Sequence, residues 1–246
     1  MKPSYWQTIF KKESVKNQED KTQFITYFLG VFIACIGILY GNAIREEHTF
    51  LRIWEFENLL YLAIGLPFIY LTSFVGIPSF WDKQVSNFRR WTLPLLIGSV
   101  FGIADIFVIK VLMHPEPYTS LPPFLQPFPY SLFLFFSGAL EIEVFYRLIP
   151  LTLFLLAGKY FAQGKYFSFI FWFGAILTAI REPLEQFPDG SMLFVAYSLF
   201  TGFAMNFLQA IAFRQSGFLA SLAIRLGHYL FWHILLGVYV EFFELP

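Results

Sequence analysis

Apolar runs close to the roughly 20 residues that a helix needs to cross a bilayer recur along the whole chain, separated by short polar connectors. They cover residues 24–40, 59–80, 92–113, 130–156, 166–180, 192–213 and 218–243. Backbone amides find no water partner in lipid, so segments of this kind fold as helices that satisfy their own hydrogen bonds. The expected fold is all-α: a polytopic membrane helix bundle of seven transmembrane helices, or eight if Pro150 divides the fourth run. Composition agrees, with 57% hydrophobic, 22% aromatic and only 14% charged residues in 246.

Residues 1–23 read as a cytoplasmic basic leader and 24–246 as a single transmembrane domain. The leader lacks a cleavable signal pattern. A formal net charge of zero argues against nucleic acid as a partner. The single cysteine, Cys35, excludes an internal disulfide and a cysteine-based zinc site. No His-Glu-x-x-His occurs either, so neither metal nor other cofactor is expected.

The basic residues set an orientation, because Lys and Arg favour the cytoplasmic side. With seven alternating spans, one side holds Lys2, Lys11, Lys12, Lys16, Lys21, Lys83, Arg89, Arg90, Lys159, Lys165 and Arg214, and the other only Arg45, Arg52 and Arg181. The N-terminus is therefore expected in the cytoplasm of a multi-pass protein in the cell membrane, plasma or inner. Gly30, Ala34, Gly37 and Gly41 give the first span a small-residue edge for close packing. The proline-rich stretch 114–129 reads as an extended surface loop, and 181–190 as a polar turn after the fifth span.

Within the fourth run, Ser137-Gly-Ala-Leu-Glu-Ile-Glu-Val-Phe-Tyr-Arg-Leu-Ile-Pro150 places two carboxylates and a guanidinium where charge is costly. Glu143 and Arg147 are four apart and are expected to pair on one helix face. Glu141 lies about 200° around the helix from Glu143 and needs another partner. Counted at about 1.5 Å per residue from the nearest cytoplasmic Lys or Arg, Glu143 and Arg181 lie about 24 Å deep, Asp105 about 22 Å and His228 about 21 Å. Polar groups of separate spans thus share one layer. Asp105 and Lys110 read as a structural or snorkelling pair.

These residues resemble the CAAX-protease and bacteriocin-processing family of intramembrane endopeptidases, related to the prenyl-protein Ras-converting enzymes. That family carries a Glu-Glu-x-x-x-Arg motif on one span, Phe-x-x-x-His on the next and His-x-x-x-Asn on a late span. Glu143-Val-Phe-Tyr-Arg147 matches the second Glu and the Arg, and residues 200–228 resemble the family's last two spans and their turn. The likeness covers about residues 130–240, and its motifs are incomplete: Ile142 holds the first Glu position and Arg181 the first His position. The last motif falls on Arg225 and Tyr229, or one turn later on His228 and Trp232.

The resemblance implies peptide hydrolysis by glutamate-activated water, with membrane lipid and a membrane-anchored peptide or protein substrate as partners. The residues themselves allow Glu143 as base if it is solvated, or Glu141 as base supported by Glu143 and Arg147. His228 supplies an oxyanion donor or shares the proton. Arg225 pairs with Glu141 or joins Arg181 and Trp232 in orienting substrate. Charged side chains of separate spans are expected to meet at one wet pocket within the membrane, and whether Glu143, Arg147 and His228 line a single cavity open to the cytoplasm is the observation that decides it. Two other readings fit the same residues: a non-catalytic membrane scaffold of the same fold, and a small transporter.

Overall fold

The structure, a computed structural model, describes the backbone of residues 5–47 and 50–245 and the side chains of 21–47, 50–161 and 163–245. Lys2 and the side chains of Lys11, Lys12 and Lys16 lie outside the described residues. The described chain is helical and contains no strand. Helix α1 spans Tyr5–Ala43 without a break, so backbone helix crosses the boundary between leader and first apolar run. It is followed by α2 (Asn58–Val75), α3 (Phe88–Met113), α5 (Phe167–Glu185), α6 (Met192–Ser216) and α7 (Phe218–Glu244). These five and the Lys21–Ala43 part of α1 are long and apolar enough to cross a membrane. Between α3 and α5 stands α4, built of Tyr130–Glu143, a wide turn Val144–Leu148 and Ile149–Tyr160. It carries Glu141, Glu143 and Arg147 and is not among those six.

Pro150 neither ends nor splits α4. At the wide turn Ile149 N–H bonds the Val144 carbonyl, five residues back. Proline then offers no N–H for the next rung. Side chains take the freed carbonyls: Arg147 Nη1 donates to Tyr146 O at 2.9 Å, and Arg181 Nη1 to Phe145 O at 3.3 Å. The helix continues because its missing bonds are replaced.

Lipid tails are as apolar as leucine, so helices in a bilayer associate by close packing rather than by escape from water. The small-residue edge of α1 does pack this way. A Cβ on Gly37 would touch Phe133 at 3.0 Å and one on Gly41 would overlap Tyr130 at 2.7 Å, so α1 lies against α4. The tightest crossing joins α3 to α7. A Cβ on Gly98 would sit 1.8 Å from the Ile224 carbonyl oxygen, and one on Gly227 would sit 2.3 Å from that of Leu95. Large side chains on the outer faces, such as Phe28, Phe32, Leu96 and Val100, are exposed to the surroundings.

Two ends of the bundle are tied by different connectors. At one end Lys159 Nζ donates to Phe74 O at 2.6 Å, Arg214 Nη1 to Gly76 O at 2.7 Å, and Trp81 Nε1 to Thr26 Oγ1 at 2.7 Å. At the other, Arg52 N–H donates to Gln126 Oε1 at 2.8 Å, Tyr130 Oη to Arg52 O at 2.7 Å, and Phe128 N–H to Glu241 at 2.8 Å. The proline-rich connector 114–129 is accordingly no mere surface loop. Leu125 and Gln126 are buried, Leu125 packs with Leu236 and Val240, and Phe124 stacks on Trp232 at 5.0 Å.

Candidate functional site

The buried polar centre forms where α4, α5, α6 and α7 meet. Each helix supplies side chains in phase with its packed face, and α5 shows how. Phe171, Ala175, Thr178 and Glu182 are all buried and follow one another at helical spacing, so the stripe that packs the helix ends on a carboxylate. On α7, the extended Gly217 lets the chain turn against the Pro78 carbonyl, where a Cβ would sit 2.6 Å away at φ +85°. From there Ser221, Arg225 and His228 follow at spacings of four and three, on one face.

Four charged groups lie at the centre. Arg225 holds Glu182 by two parallel bonds, Nη1 to Oε1 at 2.7 Å and Nη2 to Oε2 at 2.5 Å, the planar fork that suits a carboxylate. Its Nε approaches Glu143 Oε1 at 3.4 Å. Glu143 accepts further bonds from Ser221 Oγ at 2.5 Å and from Gln209 Nε2. Gln209 also accepts from Arg147 at 2.9 Å, so one amide joins the acid to the guanidinium. Asn206 Oδ1 accepts from both Arg147 and Arg225. Two carboxylates thus face two guanidiniums, all inaccessible to solvent or nearly so. Such charges are tolerable away from water when paired or hydrogen-bonded: Arg225 pairs with Glu182 and Glu143, and Arg147 is held by the carbonyl oxygens of Tyr146, Asn206 and Gln209.

A second constellation lies alongside. His228 Nε2 meets Asp105 Oδ2 at 2.7 Å, and Tyr197 Oη donates to Asp105 Oδ1 at 2.8 Å. His228 Nδ1 is buried and bonds no protein group. The α3–α7 crossing at Gly98 and Gly227 brings Asp105 and His228 together. The same crossing holds Gly102 against the His228 backbone, where a Cβ would sit 2.7 Å from its carbonyl oxygen.

Both constellations border a cavity of about 580 Å³ lined by Asp105, Glu141, Glu182, Asn206, Arg225 and His228, with Phe101, Phe135, Tyr229 and Trp232 as apolar wall. The Glu141 carboxylate makes no hydrogen bond or ion pair among the described residues and lines this space. Among the described residues no three His, Cys, Asp or Glu side chains gather as a metal-ligand set.

Several expectations are corrected by this geometry. Glu143 and Arg147 do not pair directly: the wide turn changes their angular relation, and Gln209 stands between their head groups. Neither residue lines the cavity. Arg225 pairs with Glu182 and Glu143, not Glu141. Lys110 binds Glu244 at 2.9 Å while Asp105 belongs to His228, because Lys110 reaches the end of the bundle and Asp105 faces its interior. Residues 181–185 are the last turn of α5 rather than a loop. Arg181 accordingly stays on the exposed side, paired with Glu185 at 2.7 Å, and its neighbour Glu182 turns inward. Trp232 does border the cavity.

Glu182, Asn206, Gln209, Ser221 and Tyr197 escaped the reading of the sequence. Glu182 was legible as the continuation of the 171–175–178 stripe. Asn206 and Gln209 were legible as the polar residues at spacing three in an otherwise apolar run, which in lipid marks an inter-helix contact.

Fold and site together define an all-helical protein with six segments fit to cross a membrane and a polar cavity between its helices. Comparison with protein families, curated proteins and solved structures finds no match to the chain.

Proposed function

We propose that this protein is an intramembrane endopeptidase of the kind its motifs resemble, the CAAX-protease and bacteriocin-processing family, with Glu141 as general base. In this reading α4 is the seventh span, the N-terminus is cytoplasmic and the protein resides in the cell membrane. The observation that carries the proposal is that an unpartnered carboxylate, Glu141, and a histidine with a free ring nitrogen, His228, line the same cavity. Glu143 and Arg147 are the scaffold of the site, since both are enclosed by protein partners.

Glu141 takes a proton from a water in the cavity as the water oxygen attacks the peptide carbonyl carbon. His228, held by Asp105 through Nε2, offers its other ring nitrogen, Nδ1, to the oxyanion that forms. The proton on Glu141 then passes to the amide nitrogen, the C–N bond breaks, and an amine and a carboxylic acid leave. Asp105 orients the imidazole through the contact at 2.7 Å, and Tyr197 fixes Asp105. Trp232 and Phe124, stacked at 5.0 Å, offer an apolar wall to a substrate side chain. Membrane lipid and a membrane-anchored peptide are the partners of this chemistry.

The test is cleavage of a membrane-anchored peptide by the purified protein in liposomes. Glu141→Gln is expected to lower kcat by about 10²–10⁴, the usual contribution of a positioned base. His228→Ala is expected to lower it by about 10²–10³, as loss of an oxyanion donor does. Unchanged turnover in Glu141→Gln overturns the assignment.

A second reading, a non-catalytic membrane scaffold, draws support from the Arg225–Glu182 pair, which fills with a neutralised ion pair a place where hydrolysis could use a free acid. It predicts no cleavage by the unaltered protein and effects of Glu141→Gln on partner binding alone.

A further inference from the structure

The cavity has a direction. Its deep wall is made by Glu182 and Arg225, whereas Arg52, Trp54, Phe124 and Gln186, which also line it, belong to connectors or the residue just past a helix end. Those connectors meet at one end of the bundle, where Arg52 is bonded to Gln126 and Tyr130. Arg52 and Gln186 are themselves exposed, so the space is walled by accessible residues at that end.

The basic residues gather at the opposite end. Lys83, Arg89, Lys159, Lys165 and Arg214 all lie in or beside the connectors tied together by the Lys159–Phe74 and Arg214–Gly76 bonds. By the same measure the end with the cavity mouth holds Arg45, Arg52, Arg181 and Lys110, of which Arg181 and Lys110 are paired with Glu185 and Glu244. Lys and Arg are retained on the cytoplasmic side of short loops.

We infer that the cavity is loaded from the extracytoplasmic face, and that its substrate is a membrane-anchored peptide whose susceptible segment lies on that outer side. The inference rests on the hydrolytic reading for the word substrate; the direction of the cavity does not depend on it. Water reaches Glu141 and His228 past Arg52 and Gln186, and a peptide tethered in the outer leaflet enters by the same route. A prenylated tail on the cytoplasmic side would meet the lysine-rich end, where the residues lining this cavity are absent.

Membrane-impermeant maleimide labelling in intact cells tests the direction. The single native thiol is removed by Cys35→Ser, and one cysteine is then introduced at a time: Gln186→Cys at the rim, Thr201→Cys within the cavity, and Lys83→Cys and Lys165→Cys at the basic end. Labelling each variant in detergent verifies that its thiol is reactive and the protein present. The expected result is labelling of positions 186 and 201 in intact cells to the extent seen after permeabilisation, with positions 83 and 165 labelled only after it. The reverse pattern overturns the inference, as does labelling of 186 without 201, which would mean that the cavity is not reached from that side. Turnover is not measured here, so the outcome stands apart from the Glu141→Gln test: loss of that test with the labelling pattern intact would remove hydrolysis and leave an outward-facing binding cavity.

Discussion

At the scale of single residues, the centre of the molecule is a balance of charges that no one of them could survive alone. Arg225 carries the greatest share, because it serves Glu182, Glu143, Asn206 and Gln209 together. Arg225→Met is expected to destabilise the protein by about 3–5 kcal/mol, since it leaves buried carboxylates without their cation. Adding Glu182→Leu to that variant should restore much of the loss, because an apolar pair of similar volume needs no neutralisation. Thermal midpoints in detergent for the single and double variants measure both effects. A double variant no more stable than the single one would show that Glu143, rather than Glu182, is the acid that requires Arg225. The sequence made Glu143 and Arg147 visible as charges in an apolar run, yet their partners on other helices are two amides, a serine and, for Glu143, Arg225. Nothing in the local spacing names those partners, because they are 59 to 82 residues away.

At the scale of helices, the site depends on how closely two backbones approach. Gly98 and Gly227 allow α3 and α7 to touch, and that contact presents Asp105 to His228. Gly98→Ala should push the helices apart, at a cost at or above the roughly 1–3 kcal/mol typical of overpacking, because the obstruction is backbone and cannot rotate away. Gly138→Ala is the matched comparison: its Cβ would meet nothing within 4 Å, and a gain of about 0.5–1 kcal/mol is expected from the stiffer helix. Parallel thermal melts decide the matter, and equal behaviour of the two variants would mean that the crossing is not a determinant of stability. The α1 edge of small residues could be read in advance, since it repeats at helical spacing within one run. The α3–α7 crossing could not, because each glycine matters only through the backbone it faces. Similarly, Pro150 reads locally as a break, and α4 passes it only because Arg147 and Arg181 supply the missing donors.

At the scale of the whole molecule, the open quantity is the passage of α4. Reporters inserted in the connectors 114–129 and 161–166 should report opposite sides of the membrane if α4 spans, as proposed, and the same side if it does not. A glycosylation acceptor or an alkaline-phosphatase fusion at each position provides the readout. In the proposed topology, the cost of carrying Glu141, Glu143 and Arg147 through the bilayer is met by enclosing two of them among partners and placing the third at the cavity.

The order of residues alone determined that this chain is helical, with segments long and apolar enough to cross a membrane, because apolar runs of span length have one economical backbone solution in lipid. Counting the rise per residue grouped Glu143, Asp105, His228 and Arg181; the first three lie at or beside the buried centre and Arg181 does not. Which of those groups meet was decided only by the tertiary structure. Rotation about each helix axis, set by glycines at a crossing and by a wide turn before a proline, sent Glu182 inward beside an outward Arg181. It enclosed Glu143, and it left Glu141 facing the cavity with His228.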